Sequence, residues 1–226
     1  MPLYKTITIP GARVLIWKIT EDLDALSKDI ELTDHCRQRL QSMRSMLHRR
    51  GFMSIRHLLK AVGYEDRDLY YDDFGKPHLH DGNCISITHS FEFTAIIVSE
   101  HEVGIDIEKQ RDKIVRIAHK FTTFEDYKTL ANHDAVVRKL TIVWCAKESL
   151  YKLYAQQGLS FLRHIDVQDF HFDDLRTTAQ IDYEEEDSYY GIDFLEFEGF
   201  TCAYALPLKV YQSQNHTNHS TIASHG

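Results

Sequence analysis

No stretch of the sequence is apolar for long enough to cross a lipid bilayer. A spanning helix needs about 18 consecutive apolar residues, and nothing in the 226 residues approaches that length. The first residues, MPLYKTITIPGARVLIWKI, alternate apolar and polar side chains like a strand and lack the charged start and apolar core of a signal peptide. We therefore expect a cytoplasmic protein that makes no use of a membrane.

Cysteine is also sparse. The four cysteines, Cys36, Cys84, Cys145 and Cys202, are scattered and form no CxxC pair. Neither a disulfide framework nor a thiolate zinc site is indicated, so we expect reduced thiols inside the protein. The hydrophobic content of 43%, with 12 Phe, is sufficient for a packed core.

Positive charge is scarce over the whole chain, because 26 Lys and Arg face 34 Asp and Glu and leave a net charge of -8. Phosphate backbones are bound by basic surfaces, so this balance argues against a general nucleic-acid-binding protein. Residues 36–60 depart from the average, with six Arg, one Lys and no acidic residue. This local concentration predicts a small polyanionic ligand, and the alternative is a solvated helix face.

The apolar periodicity predicts an α+β protein. Strands are expected at 3–9, 13–19, 84–90, 93–99 and 102–108, and four more at 165–172, 178–184, 189–195 and 200–206. Residues 23–62 are expected to be mostly helical with a break near Gly51, and helical patterns return at 109–140 and 143–155. Each half of the chain thus combines strands with helix, which suggests a duplicated α+β unit.

Two carboxylates share one face of the strand VGIDIE. Side chains alternate along a strand, so Asp106 and Glu108 point to the same side, beside the bare backbone of Gly104. Carboxylates on one face within about 7 Å repel each other unless a cation lies between them. A hard divalent ion, most naturally Mg2+, would relieve this repulsion. The alternative is a half-buried strand with a solvated acidic face.

The helical segment 143–155 carries a second pair of charged residues. Its apolar stripe consists of Val143, Ala146, Leu150 and Leu153. Glu148 and Lys152 are four residues apart on another side, and such a pair stabilises a helix by only about 0.2–0.5 kcal/mol. The functional alternative is that Glu148 completes the metal site or accepts a proton, while Lys152 binds a phosphate oxygen.

Two further motifs lie in the first half of the chain. In SITHS, His89 has the strand parity of Ile85 and Ile87, so it is either a core histidine or a phosphate donor where the strand ends. GKPHL is either a hairpin-like turn or a loop that offers Lys76 and its backbone to a nucleotide.

The order and spacing of these motifs resemble the 4'-phosphopantetheinyl transferases, in particular the long, monomeric type that activates surfactin synthetase. The motifs are GKPHL at 75–79, SITHS at 86–90, GIDIE at 104–108, KFTTFE at 120–125 and WCAKESLYK at 144–152. The similarity extends over residues 37 to 160. It implies that coenzyme A is the substrate and that the acceptor is a serine hydroxyl of an apo acyl or peptidyl carrier protein of fatty acid, polyketide or nonribosomal peptide biosynthesis.

The resemblance also implies roles for individual residues. Asp106, Glu108 and Glu148 match Mg2+ ligands, Glu148 is also the expected proton acceptor, and Lys152 matches a pyrophosphate-binding lysine. His89 and the loop of Gly75, Lys76 and Pro77 match residues that hold coenzyme A. Arg49 and Arg56 lie where basic residues bind its 3'-phosphate, with Arg50 as an alternative to Arg49. Glu125 matches an acidic position near the active site.

The fold implied by the resemblance consists of two similar α+β halves, packed side by side with the active site in the cleft between them. We accordingly expect an N-terminal half at 1–100, a C-terminal half at 101–211 and a disordered tail at 212–226, in a monomeric protein that uses Mg2+ or Mn2+. Two other functions stay open. One is an Mg2+-dependent phosphohydrolase or nuclease that acts on a nucleotide or phosphodiester, and the other is a module that binds coenzyme A without transferring it.

Overall fold

A computed structural model of the chain describes residues 3–123, 127 and 130–210. The chain divides into two compact units, Met1–Glu100 and His101–Gly226. Each unit combines one antiparallel sheet with helices that pack on it. The α+β class predicted from the sequence is therefore confirmed.

From residue 3 onwards, where its description starts, the first unit contains a six-stranded antiparallel sheet and three α-helices. The strands are β1 (Leu3–Ile9), β2 (Ala12–Lys18), β3 (Leu69–Tyr71), β4 (Pro77–Leu79), β5 (Cys84–Ser90) and β6 (Phe93–Ser99), in the order β1-β2-β6-β5-β4-β3. The helices are α1 (Leu23–Ser27), α2 (Asp34–Ser42) and α3 (Met46–Ala61). Helix α3 buries Met53, Leu58 and Leu59 in the core that it shares with the sheet.

The helical region of the first unit is interrupted at other places than the sequence suggested. Gly51 lies inside α3, so the predicted break at this residue is wrong. The interruptions precede α2 and α3, where Thr33 and Ser45 each accept a backbone N–H of the following first turn. These side chains supply acceptors for N–H groups that have no partner within the helix, and this capping decides where each helix starts.

The described residues of the second unit include a five-stranded antiparallel sheet and two helices between its first two strands. The strands are β7 (Gly104–Lys109), β8 (Ile165–Val167), β9 (Arg176–Tyr183), β10 (Glu186–Phe197) and β11 (Phe200–Pro207), in the order β7-β11-β10-β9-β8. The helices are α4 (Lys113–Ile117) and α5 (His133–Tyr154). Helix α5 packs on the sheet and buries Leu140, Ala146 and Leu150 there.

Two predictions for this unit need correction. Residues 109–140 are not one helix, because α4 ends at Ile117 and α5 starts only after Asn132, whose side chain accepts the N–H of Ala135 at 2.9 Å. Strand β8 is shorter than predicted and ends at Val167, and the carbonyl oxygen of Phe170 in the predicted strand accepts a hydrogen bond from Lys139 of α5. The predicted tail at 212–226 lies outside the residues that the structure describes.

The structure also bears on the predictions made for the cysteines and for membrane-spanning segments. All four cysteines are free, and Cys36, Cys145 and Cys202 are buried. Within the described parts of the chain, no helix combines the length and the apolar character needed to span a membrane.

Strand β7 and helix α5 approach each other most closely at Gly104. A Cβ atom at this position would lie 1.8 Å from the carbonyl oxygen of Ser149 and 2.7 Å from its carbonyl carbon. Only glycine can occupy such a position, since the obstacle is backbone rather than a movable side chain. The hydroxyl of Ser149 also donates to the carbonyl oxygen of Ala203 in β11 at 2.9 Å, which fixes the helix on the sheet.

We predict that Gly104→Ala lowers the free energy of unfolding by more than about 3 kcal/mol, because strand and helix must separate to admit the methyl group. Gly51→Ala is the matched control. Its Cβ would meet only Thr94 Cγ2 at 3.8 Å, an ordinary contact, so we expect a gain of about 0.5–1 kcal/mol from helix propensity. Urea unfolding of both variants provides the measurement, and a fully stable Gly104→Ala protein would contradict the close approach.

Candidate active site

Three carboxylates of the second unit form what we call the carboxylate cluster: Asp106 and Glu108 of β7, and Glu148 of α5. Asp106 is only 5% exposed, which rules out the solvated acidic strand face as its explanation. Burial is the main cause of the raised pKa values of Glu108 and Glu148, the negative charge of Asp106 raises both further, and Glu108 adds to the effect on Glu148. The three side chains therefore lie close enough to repel one another.

Lys152 bridges the helix and the strand. Its Nζ donates to Asp106 Oδ1 at 2.7 Å and to the carbonyl oxygen of Ile105 at 3.0 Å. The sequence also allowed a salt bridge between Lys152 and Glu148 along the helix. The Lys152 ammonium instead binds Asp106 on strand β7. The Lys152 side chain is 29% exposed and that of Asp106 is 8% exposed, so the pair is largely shielded from water.

Burial and like charge together shift the protonation of the cluster. Burial, followed by the charge of Asp106, raises the pKa of Glu148 to about 7, and the nearby Lys152 only partly offsets this. Burial and Asp106 also raise the pKa of Glu108, against a hydrogen bond from Trp144 and the charge of Arg111. At neutral pH Glu148 is therefore populated in both forms, as suits a group that accepts and releases a proton.

The donor chemistry of the carboxylate cluster suits a hard divalent cation, because carboxylate oxygens are preferred ligands of Mg2+ and a cation would relieve their repulsion. As the side chains are placed, however, the described residues include no group of three or more His, Cys, Asp or Glu that could hold a metal ion. The ammonium of Lys152 lies on Asp106 instead. A cation would have to compete with this lysine.

Trp144 belongs to the site, although no role was predicted for it. Its indole N–H donates to the carboxylate of Glu108, and its ring packs against Phe121 and Phe161 with centroids 5.0 and 5.3 Å away. The available signal was its place in WCAKESLYK, one turn before Glu148. A pocket of about 180 Å3 lies beside Glu108 and Trp144, and Lys109, Arg111 and Lys113 line it together with apolar residues.

His89 lies at the end of β5 in the first unit and is exposed, so the core-histidine alternative is wrong. Its ring centroid lies 5.9 Å from that of His48 on α3. A pocket of about 290 Å3 is lined by Leu47, His48, Gly51, His89, Ser90 and Phe91. The position at a strand end beside a pocket is compatible with the role of phosphate donor that was predicted for His89.

The predicted nucleotide loop of Gly75, Lys76 and Pro77 is part of a hairpin between β3 and β4. The carboxylate of Asp72 accepts the backbone N–H groups of Phe74 and Lys76, both at 2.9 Å. Gly75 has a φ angle of 85°, a conformation that glycine adopts at little cost. The turn is therefore built by the chain itself, and binding of a nucleotide stays a prediction.

The structure contradicts the predicted role of Arg56 in binding the 3'-phosphate of coenzyme A. It is 3% exposed, and its guanidinium donates to Asp66 at 2.8 Å, to the carbonyl oxygen of Phe52 at 3.2 Å and to Cys36 Sγ at 3.3 Å. Such a buried, fully engaged side chain holds α3 in place and offers no surface to a phosphate. Arg49, by contrast, is partly exposed, although it donates to two carbonyl oxygens at the end of α2.

The carboxylate cluster and Lys152 lie within the part of the chain that matches a known family. Residues 102–205 match the 4'-phosphopantetheinyl transferase superfamily. The chain is also 26% identical over 159 residues to the 4'-phosphopantetheinyl transferase gsp of Aneurinibacillus migulanus. The match covers 68% of this chain and 65% of that relative, slightly less than two thirds of its length. The match to the superfamily thus covers slightly less than half of the chain and lies in its second unit. Glu125, the remaining predicted position, lies outside the described residues.

We predict that Glu148→Gln stabilises the metal-free protein at pH 8 but not at pH 4. In the folded chain the pKa of Glu148 is about 7, whereas the ordinary pKa of a glutamate, which applies to the unfolded chain, is 4.5. Stability is therefore lost as the pH rises between these values, by up to about 3 kcal/mol, and the neutral amide avoids this loss. Urea unfolding in a chelating buffer measures the difference. Glu186→Gln, which replaces an exposed carboxylate of the same unit, is the control and should change the free energy of unfolding at pH 8 by less than about 0.5 kcal/mol.

Proposed function

We propose that this protein transfers the 4'-phosphopantetheine arm of coenzyme A to a serine hydroxyl of an apo acyl or peptidyl carrier protein and releases adenosine 3',5'-bisphosphate. The observation that carries the proposal is the convergence of Asp106, Glu108 and Glu148 from two separate segments, with the ammonium of Lys152 at their edge. The match of residues 102–205 to the 4'-phosphopantetheinyl transferase superfamily and the similarity to a 4'-phosphopantetheinyl transferase support the same reaction.

Glu148 is the proposed general base. A base works best when its pKa is near the pH at which it acts, and burial and the charge of Asp106 raise the pKa of Glu148 to about 7 in the metal-free protein. Glu148 accepts the proton of the carrier serine as the serine oxygen attacks the β-phosphate that bears the pantetheine arm. A new P–O bond to serine forms, and the bond from this phosphorus to the bridging oxygen of the diphosphate breaks.

Lys152 is proposed to stabilise the leaving group. Negative charge grows on the oxygens of adenosine 3',5'-bisphosphate as the diphosphate bond breaks, and an ammonium already fixed beside these oxygens lowers the barrier. The hydrogen bonds to Asp106 and to the carbonyl oxygen of Ile105 hold the Lys152 ammonium at the edge of the carboxylate cluster. The side chain is therefore positioned before the substrate arrives.

The carboxylate cluster would hold Mg2+, with Mn2+ as the alternative ion. When bound, the ion would neutralise diphosphate charge and act as a Lewis acid. The cluster by itself is strongly anionic and would repel a diphosphate, so the substrate needs the cation and Lys152 together.

Coenzyme A itself is proposed to bind residues of the first unit. His89 and the loop of Gly75, Lys76 and Pro77 are the proposed partners of its phosphates and nucleotide, and Arg49 remains a candidate for the 3'-phosphate. Arg56 is not among them, because its guanidinium is buried in its ion pair with Asp66. We further propose that the enzyme is a monomer of the long type, because one chain carries both α+β units. We also propose that it is cytoplasmic.

The reaction can be tested by incubation with coenzyme A, Mg2+ and a panel of apo carrier proteins, read by intact mass. We expect one carrier to gain the mass of a single phosphopantetheine arm. Glu148→Gln should slow this gain by about 10²- to 10⁴-fold through loss of the base, and Lys152→Met by about 10²- to 10³-fold through loss of charge stabilisation. Glu186→Gln, whose side chain is exposed, should react like the parent.

The same experiment distinguishes the two rival functions. Hydrolysis of coenzyme A or of another phosphodiester without any carrier, together with no mass gain on the panel, would favour the phosphohydrolase. Tight binding of coenzyme A without transfer or hydrolysis would favour a binding module. Either result would overturn the proposed transfer reaction.

We also predict that Mg2+ raises the melting temperature of the free protein at pH 8, since a ligand that binds only the folded state stabilises it. Asp106→Asn should abolish this rise by removing one carboxylate. Lys152→Met should increase it, because the ammonium that competes for Asp106 is gone. If Mg2+ protects Asp106→Asn as well as the parent, the ion binds elsewhere.

A further inference from the structure

Lys147 precedes the proposed base along α5 but points into the protein. It is only 5% exposed, although lysine is rarely buried. Its Nζ donates to the backbone carbonyl oxygens of Phe121 at 2.6 Å, Phe161 at 2.8 Å and Ile165 at 2.7 Å. An ammonium has three protons to donate, and each of them has an acceptor here.

These hydrogen bonds tie α5 to two separate segments of the second unit. Phe121 follows the short helical turn Ala118–Lys120, whereas Phe161 lies in the connection from α5 to β8 and Ile165 is the first residue of β8. Burying a charged ammonium is costly unless its environment replaces the lost water. The three carbonyl oxygens can replace water around the ammonium only while both segments keep their present positions. Lys147 therefore fixes the positions of the two segments.

The segments held by Lys147 are also those that hold Trp144. The rings of Phe121 and Phe161 contact the indole at centroid distances of 5.0 and 5.3 Å, in edge-on and tilted orientations typical of packed aromatic pairs. Both phenylalanines are thus fixed twice by α5, at the carbonyl oxygen by the lysine and at the ring by the tryptophan. The indole N–H in turn donates to Glu108 of the carboxylate cluster.

We propose that Lys147 is a positioning residue that acts on the carboxylate cluster through Trp144. By holding the backbones of Phe121 and Phe161, it fixes the two rings on which the indole packs. The indole N–H then stays directed at Glu108. The effect on the indole is independent of the function proposed above, and only the effect on turnover rests on it.

The test uses Lys147→Met, which keeps the length of the side chain and removes its charge and donors. Trp144 becomes the single tryptophan when Trp17, the other one in the chain, is replaced in a Trp17→Phe background. We expect Lys147→Met to shift the indole N–H resonance of Trp144 and to speed its hydrogen exchange by tenfold or more. In the transfer assay, kcat should fall about 10- to 100-fold, in the range of losses seen when an outer partner of a metal ligand is removed.

Lys139→Met is the matched control. Lys139 is a second buried lysine of α5, 6% exposed, and it donates to Asp169 and to the carbonyl oxygen of Phe170. Its loss removes a comparable buried charge from the same helix but touches neither Phe121 nor Phe161. We expect a comparable loss of stability with the indole resonance and kcat unchanged.

A double-mutant cycle tests the route through the indole. If Lys147 acts through Trp144, then Lys147→Met should reduce kcat little further in a Trp144→Phe background. An unchanged indole resonance in Lys147→Met, or fully additive losses in the cycle, would overturn the proposal. If Lys147→Met does not fold, Phe161→Leu removes one supporting ring instead. It must shift the same resonance, and no shift would again overturn the proposal.

The two proposals fail in different ways. Absence of transfer by the parent protein on every carrier would refute the proposed function, while the indole resonance would still decide the role of Lys147. Normal transfer by the parent together with an unaltered indole in Lys147→Met would leave the function intact and reduce the lysine to a structural residue.

Discussion

The backbone contact between Gly104 and Ser149 is the constraint on which the candidate site depends. Any side chain at Gly104 would overlap the carbonyl oxygen of Ser149, so strand β7 and helix α5 touch without an intervening side chain. Asp106 follows the contact by about 7 Å along the strand, and Lys152 by about 5 Å along the helix. Their side chains consequently meet, at 2.7 Å. If the strand and the helix lay farther apart, Asp106 and Lys152 could not form this ion pair.

Such a close approach also has an electrostatic cost, because it gathers three carboxylates in a region shielded from water. The chain offsets the repulsion differently at each residue. Asp106 receives the ammonium of Lys152, and Glu108 receives the indole N–H of Trp144. Burial, together with the repulsion that remains, raises the pKa of Glu148 to about 7. The property that suits Glu148 to be a base is therefore a consequence of where its neighbours lie.

The sequence predicts those features that depend on short-range periodicity. Alternation along β5, β6 and β7 indicated the strands and placed Asp106 and Glu108 on one face, and the apolar stripe of α5 left Glu148 on the opposite side. The sequence could not show that Lys152 pairs with Asp106 rather than with Glu148. The partner of Lys152 depends on the contact between two segments 46 residues apart. Gly51 illustrates the same limit, because tertiary packing keeps α3 intact where propensity suggests a break.

The basic segment 36–60 shows why a count of charges is a poor guide to an anion site. Six arginines give the segment a positive field at long range, but a phosphate is held by donors that are not already engaged. Arg56 is used inside the protein on Asp66, and Arg49 donates to two carbonyl oxygens at the end of α2. His89 is a single, weakly basic group, yet it is exposed at a strand end beside a pocket. Exposure thus favours His89 over the buried Arg56 as the proposed phosphate ligand.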